Sequence, residues 1–262
     1  MPVSDDPDTR AHLNDLCGAI GDRLGVAVHA HRAPSAGALA NAFRAGRVHL
    51  AWTSPAAAAI DPRLSEAVPL VRSVRGGATR YHAVVVARRD GRLRAPGDVR
   101  DVRAAWVAPT SAGGHLFGRR ALEAHGVDLA TAFASEVFLG SQRAVVEAVR
   151  DGRADVGATF AVFQGGDPRR PLERAGFDVS GDELRVLCAS EAIPSDVVLA
   201  SPALLNTVRV EPVEALTHLH EDPNAAAALR QVLGADRFEP CAPDELERLR
   251  DLLGDDVVSA AG

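Results

Sequence analysis

The sequence predicts an α/β fold made of two lobes, and three observations support this prediction. First, the stretch 35–53 recurs without a gap at 141–159, an offset of 106 residues (141 − 35). Second, each copy combines a helical apolar pattern with a short apolar strand, which is half of a β-α-β unit. Third, a length of 262 residues allows two α/β lobes of ordinary size. One building block has therefore been used once in each half of the chain.

Each copy of the repeat places hydroxyl residues at its two ends. A serine, Ser35 or Ser141, precedes the helical pattern and is a favoured N-cap. A threonine, Thr53 or Thr159, ends the strand, which follows a glycine that can terminate the helix in the left-handed conformation. In open α/β sheets, ligands bind beyond the carboxyl ends of strands, where helix N-termini also point. These four residues are therefore candidates for a site shared by two lobes. The alternative is that they only cap helices and end strands.

The rest of the chain shows alternating strand and helix patterns. Periodicity predicts strands over 26–30, 67–74, 81–87, 104–108, 184–189 and 197–200, and helices over 8–24, 116–125, 202–219, 224–233 and 243–253. We expect 159–163 to begin a helix or turn, and the polar stretch up to Gly181 to be a surface loop. The chain crosses between lobes twice, which predicts a hinge. Lobe one is then residues 1–83 with 197–262, and lobe two is residues 84–196.

Composition argues against several classes of function. The net charge is −6 and no basic run is present, so a nucleic-acid partner is not expected. Every basic residue is arginine, which excludes a Schiff-base lysine, a pyridoxal phosphate lysine and a P-loop lysine. Arginine remains well suited to forked recognition of carboxylate, sulfonate or phosphonate groups. We expect no cofactor.

The cysteines and the ends of the chain give little specific information. Cys17, Cys188 and Cys241 are odd in number and widely spaced, so neither a disulfide framework nor a zinc site is predicted. The first residues are acidic and show no apolar leader, and no run approaches the roughly eighteen apolar residues of a membrane span. The sequence does not decide between a location in the cytoplasm and, if a leader has been removed, one in the periplasm.

The segment 109–115 is the richest candidate for binding an oxyanion. It places Thr110, Ser111, Gly113 and Gly114 between a predicted strand and a predicted helix. Consecutive backbone N–H groups can converge there on a negative oxygen, and the helix dipole adds to them. His115 offers a further donor, although a lone histidine at a helix start is more often a solvent-facing residue. The alternative for the segment is a capped helix with a flexible entry.

Taken together, these patterns resemble type II periplasmic binding proteins, and among them the phosphonate- and phosphite-binding (PhnD-like) substrate-binding proteins of ABC transporters. The resemblance covers Asp8 to about Leu233. It rests on Trp-Thr-Ser-Pro-Ala at 52–56, Tyr-His-Ala-Val-Val-Val at 81–86, Pro-Thr-Ser-Ala-Gly-Gly at 109–114, Gly-Ser-Gln-Arg-Ala-Val at 140–145 and Asp-Gly-Arg-Ala-Asp at 151–155. It implies two lobes, each a mostly parallel sheet flanked by helices, with two crossover strands as the hinge.

By position, the resemblance implies that Thr110, Ser111 and Ser141 hold the oxyanion of a ligand and that Tyr81 closes over it. The family often has histidine where Gln142 stands, and its first strand is reduced here to Met1-Pro2-Val3-Ser4, with no exporting leader or lipid-anchor cysteine. The full set of expected ligand-binding residues is Thr53, Ser54, Tyr81, Thr110, Ser111, Gly113, Gly114, His115, Ser141, Gln142 and Thr159.

The leading hypothesis is a non-catalytic, monomeric solute-binding protein that closes its lobes around a small anion and works with an ABC-transporter permease. The anion class is phosphonate, phosphite, phosphate or sulfonate. One alternative is a cytosolic enzyme of the kind found in menaquinone or thiamine-precursor pathways, with His82, His115 or Cys188 as candidates, although no spacing pairs a nucleophile with a base. The other is the ligand-sensing domain of a LysR-type regulator, although no helix-turn-helix is present.

Overall fold

The computed structural model describes residues 7–179, 181–242 and 244–253. The chain divides into two compact units. Unit 1 comprises residues 1–79 and 195–262, and unit 2 comprises residues 80–194. The lobe boundaries predicted from the sequence differ from these by two to four residues (196 − 194 and 83 − 79). The shortened strand discussed for Met1–Ser4 lies outside the described residues.

Unit 1 is a four-stranded sheet with helices on both faces. Its strands are β1 (Leu50–Thr53), β2 (Val68–Val74), β10 (Val197–Ala200) and β11 (Arg237–Pro240), in the order β1-β10-β2-β11. Its helices are α1 (Pro7–Leu24), α2 (Ala36–Arg44), α3 (Pro55–Ile60), α7 (Pro202–Leu205), α8 (Pro212–Thr217), α9 (Pro223–Leu233) and α10 (Glu245–Leu253). Leu16 of α1 and Leu229 of α9 pack on one face of the sheet, and Phe43 of α2 packs on the other.

Unit 2 is a seven-stranded sheet, also covered on both faces. Its strands are β3 (Arg80–Arg88), β4 (Val102–Trp106), β5 (Phe133–Phe138), β6 (Val156–Phe163), β7 (Leu172–Ala175), β8 (Leu184–Ala189) and β9 (Ile193–Pro194). The main order is β5-β4-β6-β3-β8, with β7 beside β6 and β9 beside β3. Its helices are α4 (Phe117–Ala124), α5 (Leu129–Ala132) and α6 (Gln142–Arg150). Leu122 of α4 and Val149 of α6 lie in the cores on opposite faces of β3.

The prediction of mostly parallel sheets is wrong. Each strand pair of the unit 1 sheet is antiparallel, and in unit 2 the parallel pairs are those of β4 with β5 and with β6. The reason is the path of the chain: β3, β8 and β10 belong to the segments on which the chain enters and leaves unit 2, and they run against their neighbours. The sequence repeat shows only the strand that follows each helix and carries no information on its partners.

The helix of the repeat forms in the same way in both units. Ser35 accepts a hydrogen bond from Ala38 N at 3.1 Å, and Ser141 accepts one from Ala144 N at 3.2 Å. The two helices also end alike, because the glycine after each C-cap has a positive φ, 66° at Gly46 and 72° at Gly152. The local chemistry read from the repeat is therefore confirmed.

The strands of the two repeat copies end at different positions. β1 ends at Thr53, as predicted, but β6 continues through Thr159 to Phe163 and pairs there with β3 and β7. The prediction that Thr159 ends a strand, and that a helix or turn follows it, is therefore wrong. The polar stretch after Phe163 likewise contains β7 rather than a loop alone.

The segment 26–30, predicted as a buried strand, is not one. Its residues are half-buried or exposed, and they form no strand pair among the described residues. The pattern of Val26, Val28 and Ala30 favours a strand, but the described part of unit 1 provides no partner beside it. Helix α1, in contrast, forms as predicted and ends before Gly25, whose φ is +67°.

We predict that Arg75 is required for the stability of unit 1. Its guanidinium contacts Asp196 Oδ2 at 2.6 Å and the carbonyl groups of Leu233 and Gly234 at the end of α9. The side chains of Arg75 and Asp196 are only 17% and 11% exposed. Arg75→Met leaves Asp196 buried without a cation, and the cost is roughly 3–5 kcal/mol in the free energy of unfolding. Thermal or denaturant unfolding measures this loss.

The matched control is Arg88→Met. Arg88 pairs with Asp90, and both side chains are largely exposed, so this variant should unfold like the unchanged protein. Equal stability of the Arg75 and Arg88 variants would contradict the prediction.

Candidate anion-binding site

The loop after β4 leads into a helix through one wide turn. The chain leaves β4 at Trp106, and residues Ala112–Leu116 form a turn of π-helix that continues into α4. Ser111 caps this turn, because its Oγ accepts a hydrogen bond from Gly114 N at 3.2 Å. Its own N–H donates to Ala108 O at 3.0 Å, so the loop is closed at both ends. Single π-turns of this kind are frequent at functional sites.

The two glycines of the loop are required by close packing. A Cβ on Gly114 would lie 2.3 Å from Val107 Cγ2, and one on Gly113 would lie 2.9 Å from Tyr81 Cε2. Real Cβ atoms do not approach other atoms so closely. Glycine therefore brings the backbone of the turn against Val107 on one side and against the ring of Tyr81 on the other.

Val107 joins this loop to the N-terminus of α6. Its N–H donates to Gly114 O at 3.0 Å, and its carbonyl accepts a hydrogen bond from Gly140 N at 2.8 Å. Gly140 has a φ of +79° and turns the chain directly into Ser141, the N-cap of α6. The Ser111 loop and the Ser141 loop, which are separated in the sequence, are thus held together at the carboxyl end of β4.

Both helix starts carry backbone donors that are not used internally. No hydrogen bond within the described ranges uses the N–H of Ala112 or Gly113 in the first turn, or the N–H of Gln142 or Arg143 in the second. Such N–H groups at a helix N-terminus favour anions, because the helix dipole places partial positive charge there. Unit 2 therefore presents two anion-favouring helix ends side by side.

Aromatic side chains line the loop. Tyr81, at the start of β3, contacts Gly113 with its ring, and the backbone and Cβ of Phe160 lie about 3.7 Å from the position that a Gly113 Cβ would take. The guanidinium of Arg174 stands 5.6 Å from the centre of the Phe160 ring. Sequence reasoning predicted Tyr81 but missed Phe160 and Val107. Phe160 follows the repeat directly, and this position was the available signal; nothing in the sequence indicated Val107.

Two of the predicted ligand-binding residues carry buried polar atoms that make no hydrogen bond. Gln142 Oε1 and Thr159 Oγ1 are both inaccessible to solvent and unpaired within the described part of the chain. Thr159 is fully buried, and a Cβ on Gly176 would lie 2.0 Å from its hydroxyl, so Gly176 covers it closely. The ligand contact of Thr159 stays a prediction. Gln142, in the first turn of α6, is only partly buried and remains a candidate.

His115 packs against the loop and hydrogen-bonds to its backbone. Its Nδ1 donates to the Pro109 carbonyl at 2.8 Å, and its ring packs edge-on against Trp106 and Phe138. Burial lowers the pKa of the His115 imidazole, which favours the neutral ring. Since Nδ1 is engaged with Pro109, this residue orients the segment that contains Thr110. Its direct contact with a ligand stays a prediction.

Unit 1 contributes its own candidates at the carboxyl end of β1. Thr53 is the last residue of β1 and is buried at 2% exposure. Ser54 is half-buried and caps α3, since its Oγ accepts a hydrogen bond from Ala57 N at 3.2 Å. The arrangement matches that of Ser111 in being a capping serine between a strand and a helix. The ligand role of both residues stays a prediction.

Comparison with known proteins identifies the family. A family model described as "ABC transporter, phosphonate, periplasmic substrate-binding protein" matches residues 1–246. The chain belongs to this family. It is thus a substrate-binding protein of the phosphonate ABC-transporter family, as the resemblance in its motifs predicted. A search of curated proteins finds no match.

Solved structures agree with this family in fold. XAC2383 from Xanthomonas citri, bound to chloride ion, has a TM-score of 0.76 and 23% identity, covering 99% of this chain and 96% of that chain. A binding protein component of an ABC phosphonate transporter (PA3383) from Pseudomonas aeruginosa has a TM-score of 0.73 and 17% identity, covering 99% and 86%. PhnD1 from Prochlorococcus marinus, in complex with methylphosphonate, has a TM-score of 0.72 and 16% identity, covering 97% and 95%. At these identities the similarity shows the fold alone, and it confirms the predicted two-lobed α/β class.

Two of the residues considered for an enzymatic alternative, His82 and Cys188, are buried. Burial raises the pKa of Cys188 to about 12, so its thiol is not a nucleophile near neutral pH. Both ring nitrogens of the buried His82 lie near backbone carbonyls, at 2.7 Å from Ser190 O and 3.3 Å from Gly166 O. The described residues contain no cluster of three potential metal ligands, and none of their helices is both long and apolar enough to span a membrane.

We predict that Gly114→Ala disrupts the junction at Val107. The added Cβ would force Val107 or the turn to move, and overpacking of this kind costs roughly 1–3 kcal/mol. The variant should lose stability and any stabilisation by an anion, both measured by thermal unfolding with and without methylphosphonate. Gly97→Ala is the control, since a Cβ at Gly97 meets no atom within 4 Å. Identical behaviour of the two variants would show that close approach at Gly114 is unimportant.

Proposed function

We propose that this substrate-binding protein holds the oxyanion of a phosphonate-class ligand at the two loops of unit 2 that Val107 joins. The single observation that carries the proposal is the pair of hydrogen bonds that Val107 makes, to Gly114 O and from Gly140 N. They place two helix starts, each with unused N–H groups, at the end of one strand. Family membership and a relative solved with methylphosphonate support a phosphonate as the ligand.

The capping serines can serve the helix and the ligand at once. Ser111 Oγ and Ser141 Oγ each accept one backbone N–H through a lone pair. A serine hydroxyl also carries one hydrogen, which is free to donate to an oxyanion. The proposed donors are therefore two hydroxyls and the N–H groups of Ala112, Gly113, Gln142 and Arg143. Thr110 adjoins them in the loop, and Tyr81 contacts Gly113.

Three arginines on the helices that start at the two loops pair with carboxylates. Arg119 pairs with Glu136, Arg120 with Glu191 at 3.3 Å, and Arg143 with Glu147 at 2.7 Å. In this proposal the ligand's charge is balanced by hydrogen bonds and helix dipoles, and these three guanidinium groups are not used. Neutral donors with fixed directions discriminate between oxyanions by geometry and by the number of protons that the ligand carries.

We make three further proposals, which concern unit 1, lobe closure and the permease. Thr53 and Ser54 of unit 1 are proposed to contact the ligand as well, and closure of the two lobes around it is the predicted response to binding. The family works with an ABC-transporter permease, and we propose that the binding protein reaches that permease as a monomer.

We predict that Ser111→Ala combined with Ser141→Ala abolishes stabilisation by methylphosphonate. Each hydrogen bond to a charged ligand contributes about 1.5–3 kcal/mol, so losing two lowers affinity by roughly a hundredfold or more. The measurement is the shift in Tm on adding ligand, relative to the same variant without ligand. Each lost cap also costs about 1 kcal/mol, which is why each variant needs its own ligand-free reference.

Two further variants separate binding from capping. Ser201→Ala removes an equivalent N-cap, that of α7, and should keep the full ligand-induced shift. Ser141→Asp keeps a good capping side chain but replaces the hydroxyl hydrogen by a negative charge, so it should bind no anion while remaining as stable as the unchanged protein. A full ligand-induced shift in the double alanine variant would refute the site assignment.

We predict that the side chain of Gln142 makes the protein prefer phosphonates to sulfonates. Its Oε1 is a buried acceptor without a donor, in the turn proposed to hold the anion. A phosphonate monoanion carries an O–H that can donate to this oxygen, whereas a sulfonate carries none. We therefore expect methylphosphonate to bind more tightly than methanesulfonate, by about tenfold for one hydrogen bond. In Gln142→Met, which keeps the side-chain length, the difference should disappear. Calorimetric titration measures both ligands, and equal preference before and after substitution would argue against this role.

A further inference from the structure

Arg174 of unit 2 carries a guanidinium group that pairs with no carboxylate among the described residues. Its contact is with an aromatic ring, since its guanidinium carbon lies 5.6 Å from the centre of the Phe160 ring. Arg169, in the same segment, is different because it pairs with Asp167 at 2.9 Å. The side chain of Arg174 is exposed, and a cation–π contact at an exposed site is weak. The guanidinium group is therefore available to an anion.

A β-bulge sets the face of the sheet from which Arg174 projects. In the pairing of β6 with β7, Arg174 lies opposite Val162, and the register shifts at the next position. Leu172 and Ala175 are three positions apart, yet both pack against the same core because the bulge lies between them. Residues directly opposite each other share a face, and so do alternate residues of one strand. Arg174, Val162 and Phe160 therefore project from one face of the sheet.

Phe160 connects this guanidinium group to the candidate anion site. Its Cα and Cβ lie 3.7 Å from the position that a Cβ on Gly113 would take. Its ring atom Cε1 lies 3.4 Å from the position that a Cβ on Gly176, directly after β7, would take. The side chain of Phe160 thus extends from the loop that Ser111 caps towards the end of β7. The guanidinium group of Arg174 lies at the far end of this side chain.

We propose that Arg174 binds a second oxyanion at the other end of the ligand, so that the protein prefers phosphonates that carry a carboxylate. This inference rests on the proposed function, which places the phosphonate group at the Ser111 and Ser141 loops. The phosphonate then lies at the backbone end of Phe160 and the guanidinium group at the ring end. The carbon chain of the ligand packs along the ring between them. A forked guanidinium matches the two oxygens of a carboxylate, whereas it repels an ammonium group at the same position.

A purely structural role for Arg174 makes a different prediction. Arginine often covers an apolar surface with the stem of its side chain while its charged end stays in water. If Arg174 did no more than cover the ring of Phe160, its removal would affect each phosphonate alike. Recognition of a second oxyanion affects the ligand that carries this group and leaves the others unchanged.

The test compares three ligands with the same two-carbon chain by calorimetric titration of the full chain. They are ethylphosphonate, carboxyethylphosphonate and aminoethylphosphonate, which end in a methyl, a carboxylate and an ammonium group. We expect carboxyethylphosphonate to bind about tenfold or more tightly than ethylphosphonate, because the added hydrogen bonds are charge-assisted. Aminoethylphosphonate should bind no more tightly than ethylphosphonate.

Three variants show whether Arg174 causes this preference. In Arg174→Gln the advantage of carboxyethylphosphonate should disappear, while the affinity for ethylphosphonate stays the same. Arg174→Lys keeps the charge but loses the fork, so it should keep part of the advantage. Arg169→Gln is the matched control, because it removes a guanidinium group from the same segment and should keep the whole advantage. Tm without ligand is measured for each variant.

The other outcomes separate this inference from the proposed function. If ethylphosphonate and carboxyethylphosphonate bind equally, and both are lost on combining Ser111→Ala with Ser141→Ala, the role of Arg174 is overturned and the proposed function stands. If none of the three ligands binds, the proposed function is refuted and this inference with it. Equal weakening of all three ligands in Arg174→Gln would show a structural role at Phe160 and would overturn the inference. Tightest binding of aminoethylphosphonate would overturn it as well.

Discussion

The two backbone hydrogen bonds of Val107 hold the candidate site of unit 2 together. One ties the residue to the glycine turn and the other to the start of α6, so one position at the end of β4 sets the distance between two capping serines. β4 lies between β5 and β6 and is buried almost throughout, which makes it a rigid base. If either loop moved, a polar backbone group would lose its partner beside an apolar core, at a cost of about 1–3 kcal/mol. The donors are thus ordered before any anion arrives, and pre-ordered donors spend little of the binding free energy on reorganisation.

What the sequence predicts well in this chain is local chemistry. The caps at Ser35 and Ser141 and the left-handed glycines after α2 and α6 depend on residues within a few positions of each other, and all form as expected. Whether the strand ends at Thr53 and at Thr159 cannot be predicted from neighbouring residues in this way. β1 ends because its sheet offers one neighbour, whereas β6 continues because β3 and β7, distant in sequence, pair with its second half. Two copies of one sequence pattern therefore form one edge strand and one central strand.

In the glycine-rich turn of the site, too, the sequence predicts the local structure but not the contacts with residues distant in the chain. Its composition predicts an anion loop, because consecutive backbone N–H groups can converge there on a negative oxygen. The structure adds a second reason, since Gly113 and Gly114 also allow contact with Tyr81 and Val107. Such contacts join residues that are far apart in the chain, and a single sequence does not reveal them. Phe160 is such a residue: the sequence predicts a helix or turn after Thr159, whereas β6 continues and brings Phe160 beside the loop.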